Sequence, residues 1–222
     1  MNDDLDFSRF APPERTGPCD LYLISPQDVG GDFPARLRDA LAHERVSAFQ
    51  LRVKGMESHE LARLAEPLRD ICAEAEVGFI VNDDVAMAKR LAADGVHLGQ
   101  GDGDVRDARD ALGPGVQVGV TCHASRHLAM EAGEAGADYV AFGAFYPSTT
   151  KASEHRPVPA ILSWWSGLFE LPCVAIGGIT PANAAPLVAA GADFLAVSNA
   201  VWGADDVAAA VAAFEEVLQG EG

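Results

Sequence analysis

The chain has 222 residues, 49% of them apolar, and a formal net charge of −17. Length and apolar content fit a globular protein with a sizeable core, as one large domain or two small ones. The acidic balance speaks against nucleic acid, whose phosphates need a basic surface, and no apolar run is long enough to span a membrane.

The chain opens Met1-Asn-Asp-Asp-Leu-Asp6, acidic and lacking the basic and apolar regions of a signal peptide. Residues 1–18, with Pro12, Pro13 and Pro18, read as a poorly ordered arm. Cys19, Cys72, Cys122 and Cys173 are dispersed and form no CxxC pair. Reduced thiols and a cytoplasmic location are therefore expected.

From residue 19 onward, apolar or β-branched runs alternate with helical patterns. The runs are Leu21–Ser25, Ser47–Arg52, Gly78–Val81, Gly95–Leu98, Gln117–Thr121, Tyr139–Gly143, Cys173–Ile176 and Phe194–Ser198. Between the second and third, Leu61, Leu64, Leu68 and Ile71 keep helix spacing, with Pro67 expected to kink the helix. Leu128, Ala129, Ala132 and Ala135 form a weaker stripe, and Val207, Val211, Phe214 and Leu218 a clear one. Repeated strand–helix order implies a parallel sheet covered by helices. Eight units fit a single-domain (β/α)8 TIM barrel over residues 19–222. An open doubly wound sheet is the competitor, but no GxGxxG follows the first strand.

The second run reads Phe49-Gln-Leu-Arg-Val-Lys54. With a side-chain period of two, Phe49, Leu51 and Val53 face the helices, while Gln50, Arg52 and Lys54 face the barrel axis. Cations at a barrel mouth need a partner, and an anionic ligand supplies one. The plainer alternative is a solvated face or pairing with internal acids.

The third run ends in Asn82-Asp83-Asp84 and the fourth in Gly-Gln-Gly-Asp102. Parallel strands bring their C-terminal ends to one sheet edge, so Asp83 and Asp102 can converge. Two hard oxygen donors there suit Mg²⁺. The alternative is that each aspartate caps the next helix. His97, within the fourth run, reads as structural.

In Gly119-Val-Thr121-Cys-His123 the odd positions share a face. Thr121 can offer a hydroxyl to the mouth, and His123 is a ligand, a base or a core histidine. Ser148-Thr-Thr-Lys151 follows the sixth run, with three hydroxyls and an ammonium suited to phosphate. Gly177-Gly178 follows the seventh, with Thr180 as N-cap and Pro181 at the first helical position. Ser198-Asn199 ends the eighth, before a short extra helix at Ala-Val-Trp202. Loops after strands seven and eight form the common phosphate site of this barrel class. Ordinary βα turns would be the plain reading. The inventory amounts to a diphosphate site of cations and metal carboxylates, and a monophosphate site of backbone amides.

Together, Gln50-Leu-Arg-Val-Lys54, Asn82-Asp83, Gly95-Val-His-Leu-Gly-Gln-Gly-Asp102, Gly119-Val-Thr-Cys-His123, Asp138-Tyr-Val-Ala-Phe-Gly143, Thr150-Lys151 and Ile176-Gly-Gly-Ile179 resemble the thiamine-phosphate synthase family. The resemblance runs over about residues 19–218, in order. It implies loss of diphosphate from (4-amino-2-methyl-5-pyrimidinyl)methyl diphosphate and attack by the nitrogen of a thiazole phosphate, giving thiamine phosphate. By resemblance, Gln50, Arg52, Lys54, Asn82, Thr121 and Lys151 bind the pyrimidine diphosphate, and Arg52, Lys54, Lys151 and Thr121 are catalytic. Asp83 and Asp102 hold Mg²⁺. Ser148, Thr149, Thr150, Gly178, Ser198 and Asn199 bind the thiazole phosphate. The implied partners are small molecules, with neither nucleic acid nor membrane. Oligomeric state is left open, a homo-oligomer being one option.

Some positions depart from the usual family pattern. Asp84 stands where Arg is typical, Ser148 where Thr is, and Thr121 and Asn199 where Ser is. Asp84 alone reverses a charge; it caps the following helix or adds negative potential at the mouth, and the cap is the favoured reading. Rival functions are a thiazole tautomerase, a silent thiazole-phosphate-binding barrel and a generic sugar-phosphate barrel enzyme. A tautomerase needs no diphosphate site.

Overall fold

Eight parallel strands close on themselves in chain order, β1 pairing with both β2 and β8. They are β1 (Asp20–Ile24), β2 (Val46–Leu51), β3 (Gly78–Asn82), β4 (Gly95–Leu98), β5 (Gln117–His123), β6 (Tyr139–Gly143), β7 (Cys173–Ile176) and β8 (Phe194–Val197). This computed structural model describes residues 19–147 and 156–219. The expected arm at 1–18 and the loop residues Ser148, Thr149, Thr150 and Lys151 lie outside the described residues. The closed barrel agrees with the sequence expectation and replaces the open-sheet alternative.

Helices lie between the strands: α1 (Phe33–Leu41), α2 (Ser58–Glu74), α3 (Val85–Arg90), α4 (Val105–Leu112), α5 (Arg126–Ala135), α6 (Ala160–Ser166), α7 (Pro181–Ala189), α8 (Asn199–Trp202) and α9 (Val207–Gln219). The stripe Val207, Val211, Phe214 and Leu218 is buried as its spacing predicts. On α2 the buried face is Ala62, Ala65, Leu68, Ile71 and Cys72, so it is rotated from the leucine stripe; Leu61 and Leu64 pack at its margin. Helix α2 also runs on through Pro67. Small alanines let the helix sit close to the sheet, which the large leucines would hold off. No described helix is long and apolar enough to cross a membrane.

Alternation along the strands sorts two cores. Phe49, Leu51, Phe79 and Val81 point outward into the layer between sheet and helices. Tyr22, Ile24, Ile80, Tyr139, Ala141, Val174 and Ala196 fill the barrel interior. One interior pairing is steric. Gly119 is in register with Tyr139, and a β-carbon at 119 would run into the Tyr139 ring. Glycine there makes room for a phenol inside the barrel.

A polar device recurs at the opposite rim. Asp94, Asp138 and Asp193 each precede a strand, and each carboxylate accepts a backbone N–H from the neighbouring strand: Phe79 at 2.8 Å, Val118 at 2.6 Å and Cys173 at 2.8 Å. These bonds satisfy strand-end donors that the ladder leaves over. Stability is thereby built at the N-terminal edge, and the C-terminal edge is left to chemistry.

Candidate active site at the barrel mouth

The C-terminal ends of the strands surround a cavity of about 650 Å³. Every described site residue predicted from sequence lines it. Gln50, Arg52 and Lys54 come from β2 and its extension, Asn82 and Asp83 from the end of β3, Asp102 from the loop after β4 and Thr121 from β5. Gly178, Ser198 and Asn199 come from the loops after β7 and β8. The hydroxyl and ammonium set at 148–151 falls outside the described residues.

Asp83 reaches the mouth through an unusual backbone. Its φ is +65°, a left-handed conformation that Asp tolerates better than most residues. Its N–H donates to the His97 carbonyl at 2.8 Å, which continues the β3–β4 pairing one residue past Asn82. Asp83 Oδ2 is 3.2 Å from Lys54 Nζ. Asp102 comes within hydrogen-bond reach of the Asp83 carboxyl. Lost hydration, then Asp83, raise the Asp102 carboxyl above its ordinary range, while Lys54 opposes them. The Asp102 carboxylate lies over Gly99, where a β-carbon would strike it. Two carboxylates and an ammonium thus share one wall of the cavity, which Arg52 also lines.

Beneath that wall a chain of buried hydrogen bonds crosses the barrel. Gln50 Nε2 donates to Tyr22 Oη at 2.9 Å. The Tyr22 and Tyr139 hydroxyls are 2.9 Å apart. Tyr139 Oη lies 3.1 Å from His97 Nδ1, and His97 Nε2 lies 2.8 Å from Thr121 Oγ1. Burial pushes the His97 imidazole down to about 4, against a smaller opposing effect of Asp83. Burial also pushes the Tyr22 phenol up to about 12 and raises Tyr139 well above its usual value. All three rings are neutral near pH 7.

His97 is therefore more than a structural histidine, since it lines the cavity and bonds to a site hydroxyl. The available signal was its inward position between the outward Val96 and Leu98. Gln100 and Ser25 also line the cavity and were missed. Gln100 sits in a turn, where strand periodicity gives no direction, and Ser25 directly follows the last residue of β1. His123 lines the cavity too, with φ of +53° after a register shift at the end of β5.

The loops after β7 and β8 form another part of the cavity wall. Thr180 caps α7, its N–H donating to Asn183 Oδ1 at 2.8 Å, with Pro181 in the first turn. Gly178 has φ of +64°, and a β-carbon there would enter the Tyr146–Pro147 backbone. The short helix α8 follows Ser198.

Among described residues, no three His, Cys, Asp or Glu side chains gather as metal ligands. The Asp83–Asp102 pair is thus a two-carboxylate set. That fits an ion which takes one or two carboxylates and completes its shell with water and substrate phosphates.

Comparison with known proteins agrees with this geometry. Residues 21–201 match the sequence profile described as thiamine monophosphate synthase. The thiamine-phosphate synthase of Erythrobacter litoralis is 64% identical over 205 residues, covering 90% of this chain and 96% of that protein. That of Rhodospirillum centenum is 50% identical over 204 residues, covering 91% and 99%. The solved thiamine phosphate pyrophosphorylase of Pyrococcus furiosus superposes with a TM-score of 0.78 at 30% identity, covering 90% and 96%.

Proposed function

The chain belongs to the thiamine monophosphate synthase family, and from that premise we propose how its barrel mouth carries out the reaction. The reaction joins (4-amino-2-methyl-5-pyrimidinyl)methyl diphosphate to a thiazole phosphate, giving thiamine phosphate and diphosphate. The observation that carries our reading is the convergence of Lys54, Asp83 and Asp102 on one wall of a cavity that Arg52 also lines.

Arg52 and Lys54 take the diphosphate oxygens, with Lys151 joining them by resemblance. As the carbon–oxygen bond breaks, negative charge grows on those oxygens and positive charge on the pyrimidine methylene. Fixed cations aimed at the leaving group stabilise this state more than the bound substrate. Asp83 and Asp102 would hold Mg²⁺, which when bound supplies further positive charge at the diphosphate. Lys54 then exchanges its Asp83 partner for phosphate.

Gln50, Asn82 and Thr121 hold the pyrimidine. The thiazole phosphate lies against the backbone of Gly178, Ser198 and Asn199, with Ser148, Thr149 and Thr150 assigned to it by resemblance. The thiazole nitrogen attacks through its own lone pair and needs no base, which suits a neutral His97. Holding the two rings in line supplies much of the remaining acceleration.

The test is direct. Both substrates mixed with the protein and Mg²⁺ yield thiamine phosphate and diphosphate in equal amounts. A protein that binds thiazole phosphate but releases no diphosphate would be a silent binder, contrary to this reading.

A further inference from the structure

The backbone ladder between β1 and β2 ends where the Ser25 N–H donates to the Gln50 carbonyl at 2.9 Å. Strand β2 itself stops at Leu51. Arg52 and Lys54 therefore stand on chain beyond the sheet, although they supply the cations of the mouth. Side chains from the segment after β1 hold that chain in place. Ser25 Oγ accepts the Arg52 N–H at 2.8 Å. Gln27 grips the Lys54 backbone on both sides. Its Oε1 accepts the Lys54 N–H at 3.2 Å, and its Nε2 donates to the Lys54 carbonyl at 2.5 Å. A hydroxyl and a carboxamide thus continue the ladder after the backbone pairing has ended.

Gln27 is exposed and is not among the residues lining the cavity. Water can satisfy the same exposed groups, so these bonds add little to stability. Their consequence is directional: they fix the backbone from which Lys54 projects toward Asp83.

We propose that Gln27, assisted by Ser25, is a positioning residue for the diphosphate wall, acting through the backbone of Lys54. This rests on the reaction proposed above. The test is a double-mutant cycle of Gln27→Ala and Lys54→Ala, read by calorimetry of inorganic diphosphate with Mg²⁺ and by steady-state kinetics. Gln27→Ala is expected to weaken diphosphate binding and raise the KM for the pyrimidine diphosphate by about tenfold, the size of one hydrogen bond. The KM for thiazole phosphate and the melting temperature stay unchanged. In the Lys54→Ala background, Gln27→Ala has no further effect. Gln27→Glu keeps the acceptor and loses the donor, and falls between wild type and Gln27→Ala. Unchanged diphosphate affinity in Gln27→Ala, or full additivity with Lys54→Ala, overturns the proposal. So does an equal loss for both substrates with a lowered melting temperature. A wild type that binds diphosphate with Mg²⁺ but makes no thiamine phosphate fails the functional reading alone, and the calorimetric cycle still decides the role of Gln27. A wild type that binds no diphosphate overturns both.

Discussion

His97 Nε2 lies 2.8 Å from Thr121 Oγ1, and the bond ties a hydroxyl of the cavity to the buried chain beneath it. At the far end of that chain Gln50 Nε2 donates to Tyr22 Oη, and the Tyr22, Tyr139 and His97 rings link the two ends. Each phenol can both donate and accept, and a neutral imidazole has one donor and one acceptor nitrogen, so every link can be made without a charge. Gln50 and Thr121, which both line the cavity, are thus held in place before any ligand arrives.

That arrangement has a pH signature. Burial holds the folded His97 imidazole down at about 4, against 6.5 for a free one. Between those values the unfolded chain binds the extra proton, so this group lowers stability as pH falls from 6.5 toward 4. Above that window its contribution is constant. Its full size is on the order of 3 kcal/mol. Urea unfolding across this range in metal-free buffer should show a shallower slope for His97→Gln than for wild type. Equal slopes would show that His97 charges freely in the fold.

A second prediction concerns room inside the barrel. Gly119→Ala places a methyl against the Tyr139 ring, which has bonds on two sides and cannot retreat without breaking them. Overpacking of this kind costs about 1–3 kcal/mol. Thermal melting of Gly119→Ala should fall accordingly, and Gly119→Ala with Tyr139→Leu should recover part of the loss. A single variant melting like wild type would mean that the ring has slack.

Gln50 was legible because a buried parallel strand leaves a polar side chain only one direction to face; Arg52 and Lys54, on the chain past the end of β2, reach the same cavity. Asp83 and Asp102 were legible because parallel strands share an edge. His97 and Tyr139 were less so. A polar ring inside a barrel reads as structural until its partners are known, and the partners of each ring lie on two other strands. Gln27 and Ser25 were silent for another reason: they bond to backbone, which carries no side-chain pattern. The α2 stripe was misjudged because its close packing uses alanines, which hydrophobic periodicity underweights against leucine.

The paired carboxylates give a third prediction. Lost hydration, and after it the neighbouring Asp83, raise Asp102; bound Mg²⁺ would offset the repulsion between the two carboxylates, so it should raise the melting temperature of wild type. Asp83→Asn and Asp102→Asn should lose most of that rise. Outer-shell partners of a metal are worth about 10–100-fold in affinity or activity, so losing a ligand should cost at least about a hundredfold in turnover. EDTA should act like either substitution. Wild-type rates persisting in metal-free buffer would sink the metal assignment.

The last prediction concerns Asp84, the neighbour of Asp83. The left-handed backbone at Asp83 turns two adjacent carboxylates to different tasks. Asp83 enters the mouth, while Asp84 starts α3 as its N-cap, its Oδ1 accepting the Met87 N–H at 2.8 Å. Helix α3 has only six residues, with Lys89 and Arg90 in its last turn, so the cap and the end charges both matter to it. Asp84 is exposed and is not among the residues lining the cavity. Asn caps about as well as Asp, so Asp84→Asn should leave both melting and kinetics nearly unchanged. Asp84→Ala removes the acceptor and should cost about 1 kcal/mol of stability, again with little change in KM. A tenfold change in the Mg²⁺ requirement, or in the KM for the diphosphate, with melting unaltered in Asp84→Asn, would instead place its charge in the field of the mouth.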